Sequence, residues 1–202
     1  MKKLTVKDIL AAKGIKKLSE VYTHNPLEAE ACEIAGIEMI VSSELNDIEG
    51  IRNAAKNTFL TVGLPYGTYL TEYEIVRRSF ELLKVGADAI YCPQGTKLIK
   101  SIADEGIPVV GHSGFIPYKS TLYGGFKAFG KNALEAKKIY DQCMILKDAG
   151  VFAIEIEIVP FGCKSTNFQH LLKKCKKSNF FIFIVLTPNS SCEYFNIILV
   201  SS

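Results

Sequence analysis

Short apolar runs recur along the chain, and four of them start directly after a glycine that ends a helical segment. They are AGIEMIV (35–41), VGADAIYC (85–92), EGIPVVG (105–111) and AGVFAIEIEIV (149–159). Glycine closes helices in the left-handed conformation, and a short β-branched run behind it suits a strand covered on both faces. Helices are predicted between these junctions. Asn25-Pro26 offers an N-cap and a first-turn proline to LEAEACEIA, Thr71 to Glu74 reads as a capping box before IVRRSFELLKV, and Asn132 can cap ALEAKKIYDQCMILKDA. In that last helix Leu134, Ile139, Met144, Ile145 and Leu146 lie close to helical spacing. The pattern predicts strands near 18–23, 37–42, 58–63, 87–92, 107–111, 151–159 and 180–186.

Seven buried strands alternating with helices define a parallel α/β fold, either an open doubly wound sheet or a closed barrel. No G-x-G-x-x-G turn follows the first strand, which argues against the dinucleotide-binding sheet. A TIM (β/α)8-type barrel is therefore expected, with the active site where strands end and βα loops begin. The chain has 202 residues, enough for one domain but short of the roughly 250 typical of that barrel. About seven strands can be placed, and none after Leu199. Residues 161–202 change character, with the aromatic run FFIFIVL and Cys163, Cys175 and Cys192. A single barrel domain over 1–202, incomplete and atypical over 161–202, is the expected organisation.

Composition narrows the function classes. Apolar residues make up 48% and charged residues 22%, as in folded globular proteins. Lysine and arginine exceed acidic residues by 24 to 21, and only Lys173, Lys174, Lys176 and Lys177 cluster, so no basic face for nucleic acid is expected. The N-terminus MKKLTVKDILAAKG suits a short amphipathic helix rather than a signal peptide, and no segment reaches membrane-spanning length. A cytoplasmic location is expected. The six cysteines include no CxxC pair and no histidine at zinc-ligand spacing, so buried thiols are expected, Cys92 at a strand end among them.

Strand ends carry the candidate chemistry. His112 directly follows VVG, and Gly111, Gly114 and the pair Gly124-Gly125 give the surrounding backbone room to approach a ligand and turn. Glu155 and Glu157 stand two apart in AIEIEIVP, so both side chains take one face of the strand, opposite the isoleucines. Carboxylates are costly against a helix layer, which directs them to the barrel interior or mouth. Glu157, nearer the strand end, suits a general base. VSSELND ends the second strand with Ser43, Glu44 and Asp47, oxygen donors for a polar substrate or a divalent ion, or caps for the next helix.

These residues resemble a known family. GHSGFIPYKSTLYGGFKAFGK is similar to the loop of the ketopantoate hydroxymethyltransferase (3-methyl-2-oxobutanoate hydroxymethyltransferase) family, G-H-x-G-[LF]-x-P followed by [FY]-G-G-[FY]-[KR]. EIEIVP resembles its strand ending E-x-V-P, and LPYGTYLTEYE its D-L-P-[FY]-x-[AS]-Y segment. The resemblance holds in order from about residue 18 to residue 160 and implies the phosphoenolpyruvate/pyruvate barrel superfamily. It further implies a transferase of pantothenate biosynthesis that performs aldol-type chemistry on a small 2-oxo acid. Glu157 matches the family's base, His112 its strand-five histidine and substrate-site group. By resemblance the co-substrate is methylenetetrahydrofolate, a metal ion such as magnesium chelates the 2-oxo acid, and the protein is a homo-oligomer.

The metal site departs from the family pattern. Where the family ends strand two with V-G-D-S, this chain has Val41-Ser42-Ser43-Glu44, so Ser43 stands at the metal-ligand aspartate. Where the family has A-D-L-P, Val62-Gly63-Leu64-Pro65 puts Gly63 at the second aspartate. Tyr91 and Pro93 stand at the family's strand-four lysine and nearby glutamate. Ser43, Glu44, Gly63 and Tyr91 are accordingly assigned to substrate binding, with Glu44 the one candidate metal ligand. The alternative function is a non-catalytic or degenerate paralogue that binds a small carboxylate.

Overall fold

A computed structural model describes residues 2–158 and the two strands Phe181–Leu186 and Ile197–Leu199. The first αβ alternation runs α1 (Val6–Ala12), β1 (Ser19–Tyr22), α2 (Pro26–Ile34), β2 (Met39–Ser43), α3 (Ile48–Ala54) and β3 (Phe59–Gly63). It continues through α4 (Glu72–Lys84), β4 (Ala89–Tyr91), α5 (Thr96–Asp104), β5 (Val109–Gly114), a 3-10 helix (Pro117–Tyr123), α6 (Ala133–Asp148) and β6 (Ala153–Glu157). Two further strands follow, β7 (Phe181–Leu186) and β8 (Ile197–Leu199).

Strands β1 to β7 pair in chain order, each parallel to the next, as the alternation of helix and strand predicts. The short β8, which the sequence pattern does not reveal, runs antiparallel to both β7 and β1 and closes the ring. The (β/α)8 repeat is thus incomplete, since its eighth strand is reversed, while the hydrogen-bonded ring is closed. Beyond β7 and β8, the region expected to be atypical, 161–202, lies outside the described residues. So do Cys163, Cys175, Cys192 and the lysine cluster at 173–177. Among the described residues, no helix is long and apolar enough to cross a membrane.

The predicted caps form. Thr71 and Glu74 make a reciprocal capping box, and the Asn25 and Asn132 side chains accept the N–H groups of Glu28 and Glu135. The four junction glycines, Gly36, Gly86, Gly106 and Gly150, all have positive φ. One helix face differs from its predicted pattern: α6 buries Ala136, Ile139, Cys143 and Leu146, while Leu134 and Ile145 are exposed. Ile139, Cys143 and Leu146 follow the i, i+4, i+7 spacing of one stripe, and Leu134 and Ile145 fall off it.

Strand alternation sorts side chains into two cores. Ile40, Leu60, Val62, Ile90, Cys92, Val109, Ile154 and Ile156 point outward into the helix layer. Cys92 is therefore a packing residue, and burial pushes its thiol up to about 12. The inward set begins with Met39, Phe59, Ala89, Val110 and Ala153, packed against Ile9 of α1, which plugs the N-terminal end of the barrel. One step further along β1, β3, β4, β5 and β6 the inward positions turn polar, while β2 keeps Val41 there and turns polar at Ser43.

Candidate active site

The polar layer lies towards the C-terminal ends of the strands. Its parts are Glu20 of β1, Thr61 of β3, Tyr91 of β4, His112 of β5 and Glu155 of β6, with Glu157 one inward step higher on β6. His112 pairs in register with Glu155, and Gly114 with Glu157. Ser43, Gly63 and Tyr91 form one row across β2, β3 and β4. A Cβ at Gly63 would stand 3.4 Å from the Tyr91 ring, in ordinary van der Waals contact with it.

The His112 side chain is 4% exposed and has a hydrogen-bond partner at each nitrogen. On one side Nδ1 meets the Tyr91 hydroxyl, with Glu155 Oε2 at 3.8 Å. On the other, Nε2 lies 2.7 Å from the Phe115 carbonyl oxygen and 3.6 Å from Glu157 Oε2. Burial alone would lower the imidazole's proton affinity, but the bond to Glu155 and the negative charges around the ring outweigh it, and the pKa is raised. Burial also pushes the Tyr91 phenol well above its ordinary range, with Glu155 and Glu157 adding to the shift.

Burial raises the Glu157 carboxyl to about 7; the Glu155 charge adds to this and His112 opposes it. A carboxylate with that pKa is a competent base at neutral pH. Backbone geometry fixes its place. Gly114 has φ +87, and any Cβ there would meet the Glu157 carbonyl oxygen at 2.4 Å, so only glycine lets β5 and β6 come together here. The Phe115 N–H donates to that same carbonyl at 3.0 Å. The next residue, Ile158, has φ +51, a strained conformation for a β-branched residue. Gly111 has a different role from the one expected: a Cβ there would meet Leu146 and Val151, so it serves helix packing rather than ligand approach. Gly124 and Gly125 both have positive φ, as the sharp loop after the 3-10 helix requires.

Sequence reasoning missed Glu20. It is 4% exposed, and burial followed by the Glu155 charge pushes its carboxyl up to about 8, so it is protonated at neutral pH. The Thr61 hydroxyl faces this carboxyl and makes no hydrogen bond of ordinary geometry with any described group. The signal was a lone carboxylate in the alternation of LSEVY, inward with Leu18.

Glu44 leaves the site. One residue past β2 it turns outward, where Tyr69 Oη donates to its two oxygens at 2.8 and 2.9 Å and Arg78 Nε donates at 2.6 Å. Asp47 caps α3 through the Gly50 N–H. The Ser43 hydroxyl accepts the Leu45 N–H at 3.3 Å in a local turn. The structure thus gathers Ser43, Gly63, Tyr91, His112, Glu155 and Glu157 at the mouth and sets Glu44 apart. The donor set does not fit a divalent ion that chelates a 2-oxo acid. A hydroxyl on β2 and a glycine on β3 stand where the resemblance puts the two aspartates, and the adjacent Glu44 is held by Arg78. No group of three or more histidine, cysteine, aspartate or glutamate side chains among the described residues is arranged to hold a metal.

Fold and site together define an α/β barrel with a buried histidine between two carboxyl groups at its C-terminal mouth. The family model for ketopantoate hydroxymethyltransferase matches residues 44–166. The 3-methyl-2-oxobutanoate hydroxymethyltransferase of Kosmotoga olearia is 30% identical, with 79% of this chain and 68% of that protein covered. That of Ignicoccus hospitalis is 29% identical, with 79% and 70% covered. The chain belongs to the ketopantoate hydroxymethyltransferase family. Its fold is shared with 2,3-dimethylmalate lyase, a member of the PEP mutase/isocitrate lyase superfamily, at a TM-score of 0.60 and 12% identity over 93% of this chain and 76% of that one.

Proposed function

We propose that this chain transfers a hydroxymethyl group to 3-methyl-2-oxobutanoate or a closely related 2-oxo acid. Glu157 takes the proton from the carbon beside the carbonyl; the C–H pair becomes the C=C bond of an enolate, and negative charge develops on the former carbonyl oxygen. One of the two bonds from the methylene carbon of methylenetetrahydrofolate to the folate nitrogens breaks as the enolate carbon bonds to that carbon. The second carbon–nitrogen bond breaks as water supplies the hydroxyl, and the two nitrogens take up the proton held by Glu157 and the one released by water. His112 faces the developing charge, and Ser43, Gly63 and Tyr91 line the mouth that receives the acid. The observation that carries this reading is a carboxyl at about 7 at a strand end, 3.6 Å from a buried histidine.

The test is product formation from 3-methyl-2-oxobutanoate and methylenetetrahydrofolate, followed by chromatography. Wild-type protein is expected to form the hydroxymethylated acid, and Glu157→Gln to lose roughly 10²- to 10⁴-fold in kcat, the range for removing a general base. A Glu157→Gln variant as fast as wild type would remove the base assignment. Binding of the 2-oxo acid with no turnover by the wild type would favour the non-catalytic alternative.

A further inference from the structure

We propose that this chain forms its enolate without a divalent ion, the positive charge at the barrel mouth coming from a His112 imidazolium held by Tyr91 and Glu155 as positioning residues. The inference rests on the reading of Glu157 as the base acting on a 2-oxo acid. It starts from a mismatch between chemistry and donors. An enolate needs positive charge where its oxyanion develops, and the strand ends that would hold a chelating ion offer Ser43, Gly63 and Tyr91.

Proton accounting at His112 identifies the replacement. The Phe115 oxygen is a carbonyl and only accepts, so Nε2 carries a hydrogen. The Tyr91 hydroxyl meets Nδ1 and can either donate to it or accept from it. Carboxyl groups flank the ring on both sides, with Glu155 Oε2 3.8 Å from Nδ1 and Glu157 Oε2 3.6 Å from Nε2. Carboxylates on either side of a buried ring favour a second proton on Nδ1, which then donates to Tyr91 Oη, and the ring is a cation.

The groups facing that cation from the described elements are Tyr91 on β4 and Glu155 and Glu157 on β6, with Glu20 on β1 behind Glu155. Protonated Glu20 adds no second negative charge next to Glu155, which leaves that carboxylate to balance the imidazolium. Glu157 can then cycle between its two forms. In its ionised form it removes the substrate proton, and the enolate's charge is set against a cation already in place. Positioned charge of this kind needs no reorganisation when the reaction occurs.

The experiment follows deuterium entering the carbon beside the carbonyl of 3-methyl-2-oxobutanoate in D2O, without folate, in chelator-treated and in magnesium-supplemented protein. In parallel, NMR of ring-labelled histidine reads the protonation of His112 in the ligand-free protein. Exchange is expected at equal rates with and without magnesium, and His112 is expected to be doubly protonated at neutral pH. Glu155→Gln is expected to lower the titration midpoint of His112 by about one unit and the exchange rate about tenfold, with a shifted pH profile. Exchange that appears only with magnesium would overturn this inference and leave Glu157 as the base. A neutral His112 at neutral pH would overturn it as well. No exchange in either condition would overturn both the base assignment and the inference built on it. If Glu155→Gln does not fold, the chelated exchange and the wild-type imidazole resonances decide the question.

Discussion

Glu157 is a weaker acid than a surface glutamate because ionising it costs solvation and places it near Glu155, and the nearby imidazole recovers only part of that cost. The sign of its pH dependence follows. A base must be ionised, so kcat/KM should rise with pH and level off above about 7, read from initial rates across the range. A rate that falls through the same window would mean that the carboxyl acts as an acid. Glu44 shows what the same residue type does in another setting. Its side chain is 4% exposed and held by Arg78 and Tyr69, and burial followed by the bond to Glu44 pushes the Tyr69 phenol up to about 12. Arg78→Ala removes one charged partner from a buried carboxylate and should cost about 1–3 kcal/mol in urea denaturation. Glu44's fate was not legible in the sequence. Its partners lie 25 and 34 residues downstream, and only the folded segment before α4 and α4 itself bring Tyr69 and Arg78 to it.

Elements were more legible than contacts, because caps, glycine junctions and strand alternation are local. The alternation in AIEIEIV sets Glu155 and Glu157 inward whatever the rest of the chain does. β1 has only four residues, so the alternation that sets Glu20 inward with Leu18 is a short signal, and the three residues of β8 carry no periodicity. Closure by β8 depends on two neighbours distant in sequence, which no local pattern encodes. The glycine junctions also carry a testable cost. Gly150 has φ +96, and a Cβ there would stand 2.7 Å from that of Ala103, so strain and overlap act together. Gly150→Ala should destabilise by more than about 1 kcal/mol, against about 1 kcal/mol for Asn132→Ala at the other end of α6. Equal denaturation midpoints for Gly150→Ala and wild type would mean that the α6–β6 junction adjusts freely.

The molecule as a whole carries two sets of displaced acids with opposite effects on stability. Inside the barrel, Glu20 rises from 4.5 to about 8 and Glu157 from 4.5 to about 7, and His112 is raised from 6.5. Each binds its proton more tightly folded than unfolded. Between the unfolded and folded values the native state holds more protons, so stability falls as pH rises. That contribution is complete below 4.5 for the carboxyls and is lost progressively up to about 8. At the N-terminal end Glu38 does the reverse. Burial alone would raise it, but bonds from Lys16 and Ser19 bring it down to about 2, so its contribution is present above 4.5 and lost on acidification towards 2. The two sets oppose each other on either side of 4.5, so the thermal midpoint should peak near pH 5 and decline towards both pH 8 and pH 3, as scanning calorimetry across buffers would measure. Glu20→Gln, which keeps the shape and removes the titration, should flatten the alkaline limb and leave the acid limb in place. An alkaline slope as steep in Glu20→Gln as in the wild type would show that the buried carboxyl layer does not hold its protons in the folded barrel, and with it the charge balance around His112 would fail.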